Sequence, residues 1–306
     1  MLPGTGMSMA ERGAPRHVSV VIPVRNGLPL LREQLEALAV QDYSESWDVI
    51  ISDNGSNDGL ERYLESVEVP SGVEISLVDS SDKPGATHAR NVGVQAARGD
   101  FIAFTDSDDR VRPDWLRELV KTAARADLVS GTVDTSVLNT SRVAEWRPMP
   151  AADDGWAVQG WYPAAIGTSM GIWRDVHDAI DGYDESYVHG GDDNDYAWRC
   201  QIAGYELVHN PSAVVDYRLR DNYRDFWKQT YSYGRAAVAN YATHRSNGLQ
   251  GYNHPWLLPI MVVTLAARNP LLPQFITRLS TGRWIYYTAH EAGKIRESIA
   301  RRIICL

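Results

Sequence analysis

Carboxylates gathered in short polar clusters are the residues of this 306-residue chain best suited to chemistry. The densest cluster is Thr105-Asp106-Ser107-Asp108-Asp109, where three acids within four positions raise one another's proton affinity unless a cation or strong donors stand among them. Oxygen-only ligands with open positions suit Mg²⁺ or Mn²⁺, which keep waters and bind a substrate's phosphates through one or two carboxylates. A solvated acidic turn is the plainer reading. In His189-Gly190-Gly191-Asp192-Asp193-Asn194-Asp195, one acid is enough to cap the helix that follows, and three exceed that need. The paired glycines let the backbone approach a ligand and present a carboxylate as a general base. Two further clusters, Pro23-Val24-Arg25-Asn26-Gly27 and Ser52-Asp53-Asn54-Gly55-Ser56-Asn57-Asp58, are ordinary turn chemistry when taken singly.

The clusters gain meaning from the elements that carry them. Residues 17–24 (HVSVVIPV), 47–52, 73–78 and 101–105 are apolar, β-branched runs that predict strands. Between them, Leu31, Leu35 and Leu38, the stretch 60–66 and the stretch 86–97 predict helices, and Pro113 opens another before a strand over 128–133. Apolar strands alternating with amphipathic helices predict a mostly parallel sheet covered on both faces, whose ligands bind at the strands' C-terminal edge. The clusters fall just after predicted strands, so they should converge on that edge. From about Asp134 to Pro163 the alternation stops in a Trp-, Pro- and Asp-rich stretch that reads as a covering loop, and beyond Asp221 the chain turns helical.

Composition narrows the classes. With 44% hydrophobic and 23% charged residues the chain can bury a core, and a net charge of −9 disfavours a nucleic-acid binder that relies on a basic field. Cys200 and Cys305 are too few for a disulfide framework or a cysteine zinc site, which fits a cytoplasmic location. The first 15 residues read as a flexible lead-in without the apolar core of a secretory signal. Residues 256–267 are too short to span a bilayer.

Taken together, VSVVIPVRNG, DVIISDNGSNDG, GATHARNVGVQAARGDFIAFTDSDD and GTSMGIWRDVHDAIDGYDESYVHGGDDNDYAWR resemble the inverting, nucleotide-sugar-dependent glycosyltransferases of family two, over roughly residues 17–235. The resemblance implies an α/β GT-A fold: a Rossmann-like, mostly parallel sheet sandwiched by helices. It divides the chain into a catalytic domain over 16–220, with a nucleotide-sugar half to about 133 and an acceptor half from 134, and a helical C-terminal extension over 221–306. It places Pro23, Asn26 and Asp53 on the nucleotide base with Arg90 and Asn91 nearby. Asp106 falls on the ribose or metal, and Asp108 on the metal and diphosphate. Arg218 and Arg220 become candidates to neutralise the diphosphate. Asp193 takes the place of the general base, with Gly167, Thr168 and Asp192 on the acceptor side and Asp195 structural.

Two departures stand out. The usual Asp-Asp-Gly-Ser reads Asp53-Asn54-Gly55-Ser56 here, and Tyr217 occupies a place where many members carry a metal-side His. The Gln-x-x-Arg-Trp signature of processive members is absent, which implies transfer of one sugar.

Trp146, Trp156, Trp161 and Tyr162 are candidates either to stack on an acceptor sugar or to fill the core. In the C-terminal stretch, Trp256, Leu257, Leu258, Ile260 and Met261 stand beside Arg268, Arg278, Arg283, Arg296, Arg301 and Arg302. That mixture suits an interfacial helix on an anionic leaflet, meeting a lipid-linked acceptor at the inner face of the membrane, and equally a helical cap or a dimer contact. The expected partners are a nucleoside-diphosphate sugar, a sugar or lipid-linked acceptor and a divalent metal. A non-catalytic nucleotide-sugar or glycan binder that keeps the fold is the alternative; a paired-carboxylate hydrolase fits the acidic cluster less well.

Overall fold

The computed structural model describes residues 12–66, 73–157, 161–251 and 257–305. The chain opens with β1 (Val18–Val24), α1 (Leu28–Leu38), β2 (Trp47–Asp53), α2 (Leu60–Ser66), β3 (Glu74–Asp79), α3 (Ala86–Ala96) and β4 (Phe101–Phe104). Each helix begins within a few residues of the strand before it, so every crossover lays an amphipathic face on the sheet. Leu28, Leu31, Leu35 and Leu38 are the buried stripe of α1, and Val18, Val20, Val21 and Ile22 of β1 are wholly enclosed.

A second series follows: β5 (Arg110–Val111), α4 (Trp115–Ala123), β6 (Leu128–Asp134), α5 (Ser141–Ala144), β7 (Trp156–Ala157), β8 (Pro163–Ala164), β9 (Met170–Trp173), α6 (Arg174–Ala179), α7 (Asp192–Ile202) and β10 (Leu207–Asp216). The eight-stranded sheet runs β3-β2-β1-β4-β9-β6-β10-β5. Its first four strands are parallel, as the alternation predicts. β9 is inserted antiparallel between β4 and β6, and the two-residue β5 closes the far edge antiparallel to β10. Strand order reverses at β1, which has β2 on one side and β4 on the other, so the crevice beyond the C-terminal ends of β1 and β4 is the topological switch point where such sheets bind ligands.

The C-terminal helices are α8 (Tyr223–His244), α9 (Leu258–Ala267), α10 (Gln274–Thr277) and α11 (Thr281–Arg301). α8 and α11 cross with their backbones in contact, and glycines permit it: a methyl on Gly234 would lie 2.0 Å from the His290 carbonyl oxygen, and one on Gly293 would lie 2.1 Å from that of Tyr231. Between these helices and α5 a second apolar cluster forms from Val143, Trp146, Leu219, Phe226 and Ile285. Trp146 is therefore core, not a sugar platform. Residues 1–11 of the lead-in lie outside the described residues, as does Trp256; Arg12 pairs with Asp127 at 2.6 Å and Asp175 at 3.0 Å. Cys200 and Cys305 are both buried.

Candidate active site

Register brings the clusters to one edge. Val24 of β1 lies opposite Asp53 of β2, and Asp53 opposite Asp79 of β3, so all three strands end level. Asn26, with a left-handed backbone, joins the first two loops: its N–H donates to Ser56 Oγ at 2.9 Å, and its side-chain carbonyl accepts from Asn57 N–H at 2.8 Å. Asp53 accepts from Ser56 N–H, and Asp58 reaches back to accept from Leu28 N–H at the start of α1. Asn54, where a second carboxylate is usual, donates to the carbonyls of Ser80 and Lys83 and accepts from Gly85 N–H. A carboxylate could not donate, so the departure from the family pattern serves the loop.

The acidic loop after β4 is held from three directions. The buried Gln34 of α1 donates to Thr105 Oγ1 and the Asp106 carbonyl while accepting from Val111 N–H. Asp109 is buried and accepts from Thr168 Oγ1 at 2.6 Å and Arg218 N–H at 2.8 Å. Burial and the charges of Asp108 and Asp106 push its carboxyl well above the usual range. Arg218 donates to the Asp108 carbonyl and to Glu33 at 2.6 Å. Arg220 instead pairs with the Asp108 carboxylate at 2.9 Å.

A cavity of about 660 Å³ opens at this edge. Asp106, Asp192 and Asp193 line it together, with Arg90, Gly167 and Thr168, so residues far apart in the chain share one cleft. Arg90 is buried and binds Asp106 at 2.8 Å and Asp192 at 2.9 Å. Asp193 sits in the first turn of α7, accepting from Gly167 N–H at 3.2 Å and Asn194 N–H at 2.9 Å. Burial and the neighbouring Asp192 raise its carboxyl to about 6, against the pull of those two N–H groups. Burial raises Asp192 too, with Arg90 opposing.

Gly190 and Gly191 turn through left-handed backbone just before α7 and back onto α8, where a methyl on Gly191 would lie 2.8 Å from Asn240 Nδ2. Asp195 is buried and bonded to His244 and Arg199, which outweigh burial and hold it below the usual carboxylate range. It ties α7 to α8.

Several residues fall outside this cavity. Asn91 clamps the backbone of Tyr183, donating to its carbonyl and accepting from its N–H. Trp161 packs edge-on against Trp198 and Tyr162 and beside His244; Trp156 lines the cavity instead. Pro23, Asn26 and Asp53 stand at the ends of β1 and β2, and from that stretch it is Arg25 that reaches the cavity. Asp108 is turned to Arg220, leaving Asp106 as the acid of its loop on the cavity wall. Arg147 and Tyr217, with Tyr233 and Tyr286, form another part of the lining. Nothing in the aperiodic stretch around Arg147 marks it out.

The donor set fits a hard divalent cation. Asp106 and Asp108 are oxygen donors, and Asp106 joins burial in raising the Asp108 carboxyl despite Arg220, so negative charge is in excess there. Among the described residues no three His, Cys, Asp or Glu form a closed metal cage. Mg²⁺ and Mn²⁺ take one or two carboxylates and keep waters on their remaining positions, so a pair of aspartates is the right kind of donor set.

Comparison with known proteins shows the family and the fold. Residues 19–180 match the family model described as glycosyl transferase family 2, and residues 101–290 that of glycosyl transferase family group 2. The chain belongs to glycosyl transferase family 2. Among its family-2 relatives, the pre-mycofactocin glycosyltransferase of Mycobacterium tuberculosis is 31% identical over 238 residues, covering 73% of this chain and 47% of that protein. The chain thus spans about half the length of that relative. The dolichyl N-acetyl-alpha-D-glucosaminyl phosphate 3-beta-D-2,3-diacetamido-2,3-dideoxy-beta-D-glucuronosyltransferase of Methanococcus voltae is 24% identical over 234 residues, covering 72% of each. Two solved structures share the GT-A fold. The mannosyltransferase PcManGT of Pyrobaculum calidifontis, in complex with GDP-Man and Mn²⁺, has a TM-score of 0.62 at 20% identity, covering 95% of this chain and 90% of its own. TarS 1–349 of S. aureus, in complex with UDP-GlcNAc, has a TM-score of 0.54 at 14% identity, covering 94% and 92%.

Proposed function

We propose that this family-2 chain moves one sugar from a nucleoside-diphosphate sugar to an acceptor hydroxyl with inversion, in the synthesis of a cell-surface polysaccharide or glycolipid. The observation that carries the reading is that Asp106 and Asp193 face one cavity, with Asp192 and Arg90 linking the two sides. Pro23, Asn26 and Asp53 would border the nucleotide. Asp106 and Asp108 would hold Mg²⁺ or Mn²⁺, which when bound neutralises charge on the departing diphosphate. Arg220, already beside Asp108, adds a cation at the same place. Asp193 accepts the acceptor's proton as the hydroxyl attacks, and Gly167 N–H fixes the direction of its carboxylate. A single displacement needs no covalent nucleophile.

The reading is tested by a thermal-shift screen of nucleoside diphosphates and their sugars, with and without Mn²⁺. A cognate donor at about a hundredfold above its Kd should raise Tm by roughly 4 °C. Asp108→Asn should lose the metal-dependent part of that shift. A chain that responds to no nucleotide under either condition would not be such a transferase.

We further propose a peripheral membrane contact through the C-terminal helices. Among the described residues no helix is long and apolar enough to cross a membrane. The stretch from α9 to α10 nonetheless exposes Ile260, Val262, Val263, Leu271 (93% exposed) and Phe275 (82% exposed). Arg268, Arg278 and Arg283 ring a neighbouring polar cavity of about 350 Å³. Apolar side chains beside arginines suit an anionic interface. Sedimentation with vesicles containing phosphatidylglycerol should exceed that with phosphatidylcholine alone, and a Leu271→Glu/Phe275→Glu double variant should bind at least about tenfold more weakly. Equal sedimentation of variant and parent would assign these helices to capping or dimer contact.

A further inference from the structure

Arg147 presents a charge in the cavity that no carboxylate among the described residues pairs with. It lines the same space as Asp193 but arises from the irregular segment after β6, facing residues of β10's exit, α8 and α11. Its guanidinium lies 4.9 Å from the ring centre of Tyr233, 5.8 Å from Tyr217 and 5.9 Å from Trp156. Its hydrogen bond is a long one, 3.4 Å from Nη1 to Tyr217 Oη. No carboxylate among the described residues pairs with it, and burial holds the Tyr217 phenol well above its ordinary value, so that neighbour is neutral at pH 7. Aromatic faces steady a guanidinium and leave its donor edge free, the arrangement that grips a planar or tetrahedral oxyanion through two N–H groups.

We infer that Arg147, caged by Tyr217, Tyr233 and Trp156, is an anion site for the acceptor, and that the acceptor sugar carries a phosphate or carboxylate. The inference rests on the transferase reading for the word acceptor; the anion site itself stands on the cage. The acceptor is favoured over the donor diphosphate by placement. Arg220 already stands at the acidic loop after β4, and Arg90 is taken up by Asp106 and Asp192. Arg147 belongs with α8 and α11, not with β1 to β4.

The test uses the full chain and thermal-shift titrations of glucose 1-phosphate and glucuronate, with glucose as neutral control, alone and at saturating UDP or GDP with Mn²⁺. At least one anionic sugar should stabilise the parent, glucose should not, and the stabilisation should persist with nucleotide bound. Arg147→Gln should weaken the apparent affinity for that anion about tenfold or more, the loss of one charge-assisted pair, while leaving the nucleotide-induced shift unchanged. If Arg147→Gln fails to fold, Arg147→Lys, which keeps the charge and loses the fork, should bind the anion measurably more weakly than the parent. The inference is overturned if neither anion stabilises the parent, if glucose does so equally, if nucleotide displaces the anion, or if the variant binds it like the parent. Absence of any nucleotide response would sink the transferase reading alone, because the anion titrations are also read without nucleotide.

Discussion

Asp193→Asn is expected to lower sugar transfer by about 10²–10⁴-fold, the usual contribution of a positioned base, while the donor still binds with its parental affinity. The substitution keeps the shape of the side chain and can keep an acceptor oxygen facing Gly167 N–H, while its amide nitrogen then meets Asn194 N–H, so basicity and that one hydrogen bond are lost together. Donor titration by thermal shift and initial rates with the same donor separate the two quantities. Parental transfer by the variant would remove Asp193 from the base role. A second readout follows from burial. The Asp193 carboxyl sits near 6 in the fold, above its unfolded value, so the folded state holds its proton more tightly and loses that stabilisation as pH rises through 6. At pH 7 the charged group is a cost, and asparagine removes it; Tm of the variant should therefore equal or exceed the parent's at pH 7, with the gain fading toward pH 5. Stability up and transfer down is the signature of a site held against its own folding preference.

The same displacement sets the pH dependence of the parent. A base must be ionised to accept a proton, so kcat/KM should fall below about pH 6, close to tenfold per pH unit once the carboxyl is mostly protonated. Asp192 and Asp193 stand side by side and repel, so the measured inflection belongs to the pair. A flat profile between pH 5 and 8 would point to a different proton acceptor.

How much of this was legible beforehand depends on what each residue's role requires. The βα alternation and the position of the acidic loop after β4 follow from local pattern, because a parallel strand must be apolar and must end in a loop at one edge. That is why the acidic loop after β4 and the loop of Asp193 could be assigned to one edge although they lie far apart in the chain; that Asp106, and not Asp108, is the acid of that loop that shares the cavity with Asp193 depends on the pairing of Asp108 with Arg220 and had no local signal. Roles set by tertiary contacts were not legible. Asn91 and Arg218 belong to motif segments, yet Asn91 clamps Tyr183 and Arg218 holds Glu33 and the acidic loop. Gln34 looks like an ordinary polar position of α1 and proves to be buried beneath the loop it fixes. Met170–Trp173 is four residues long and follows an aperiodic stretch, too little to show a strand, and only its pairing with β4 and β6 defines it. Arg147 had no signal at all: an aperiodic loop does not reveal which aromatic rings will close around it.

Arg90→Met should be the most damaging substitution to stability, costing about 3 kcal/mol at pH 7, the lower end of what removing one partner from a buried ion pair costs. The lower end applies because the Asp106 side chain keeps 31% of its exposure and can be rescued in part by water, whereas Asp192 keeps 14%. One guanidinium serves both carboxylates, so its loss leaves two like charges facing each other across the cavity mouth without a cation. Lysine should not rescue the protein, because a single ammonium cannot reproduce the fork that reaches two acids from opposite sides. The pH dependence distinguishes this cause from lost packing. Burial already raises the Asp192 carboxyl against the opposing charge of Arg90, and without Arg90 that rise grows, so protonation favours the fold and the deficit should shrink as pH falls from 8 to 5. A cavity left by a missing side chain would cost the same at every pH. Urea unfolding of parent and variant at pH 8, 7 and 5 reads the difference directly, and a deficit that stays constant across that range would mean Arg90 holds the site by shape and not by charge.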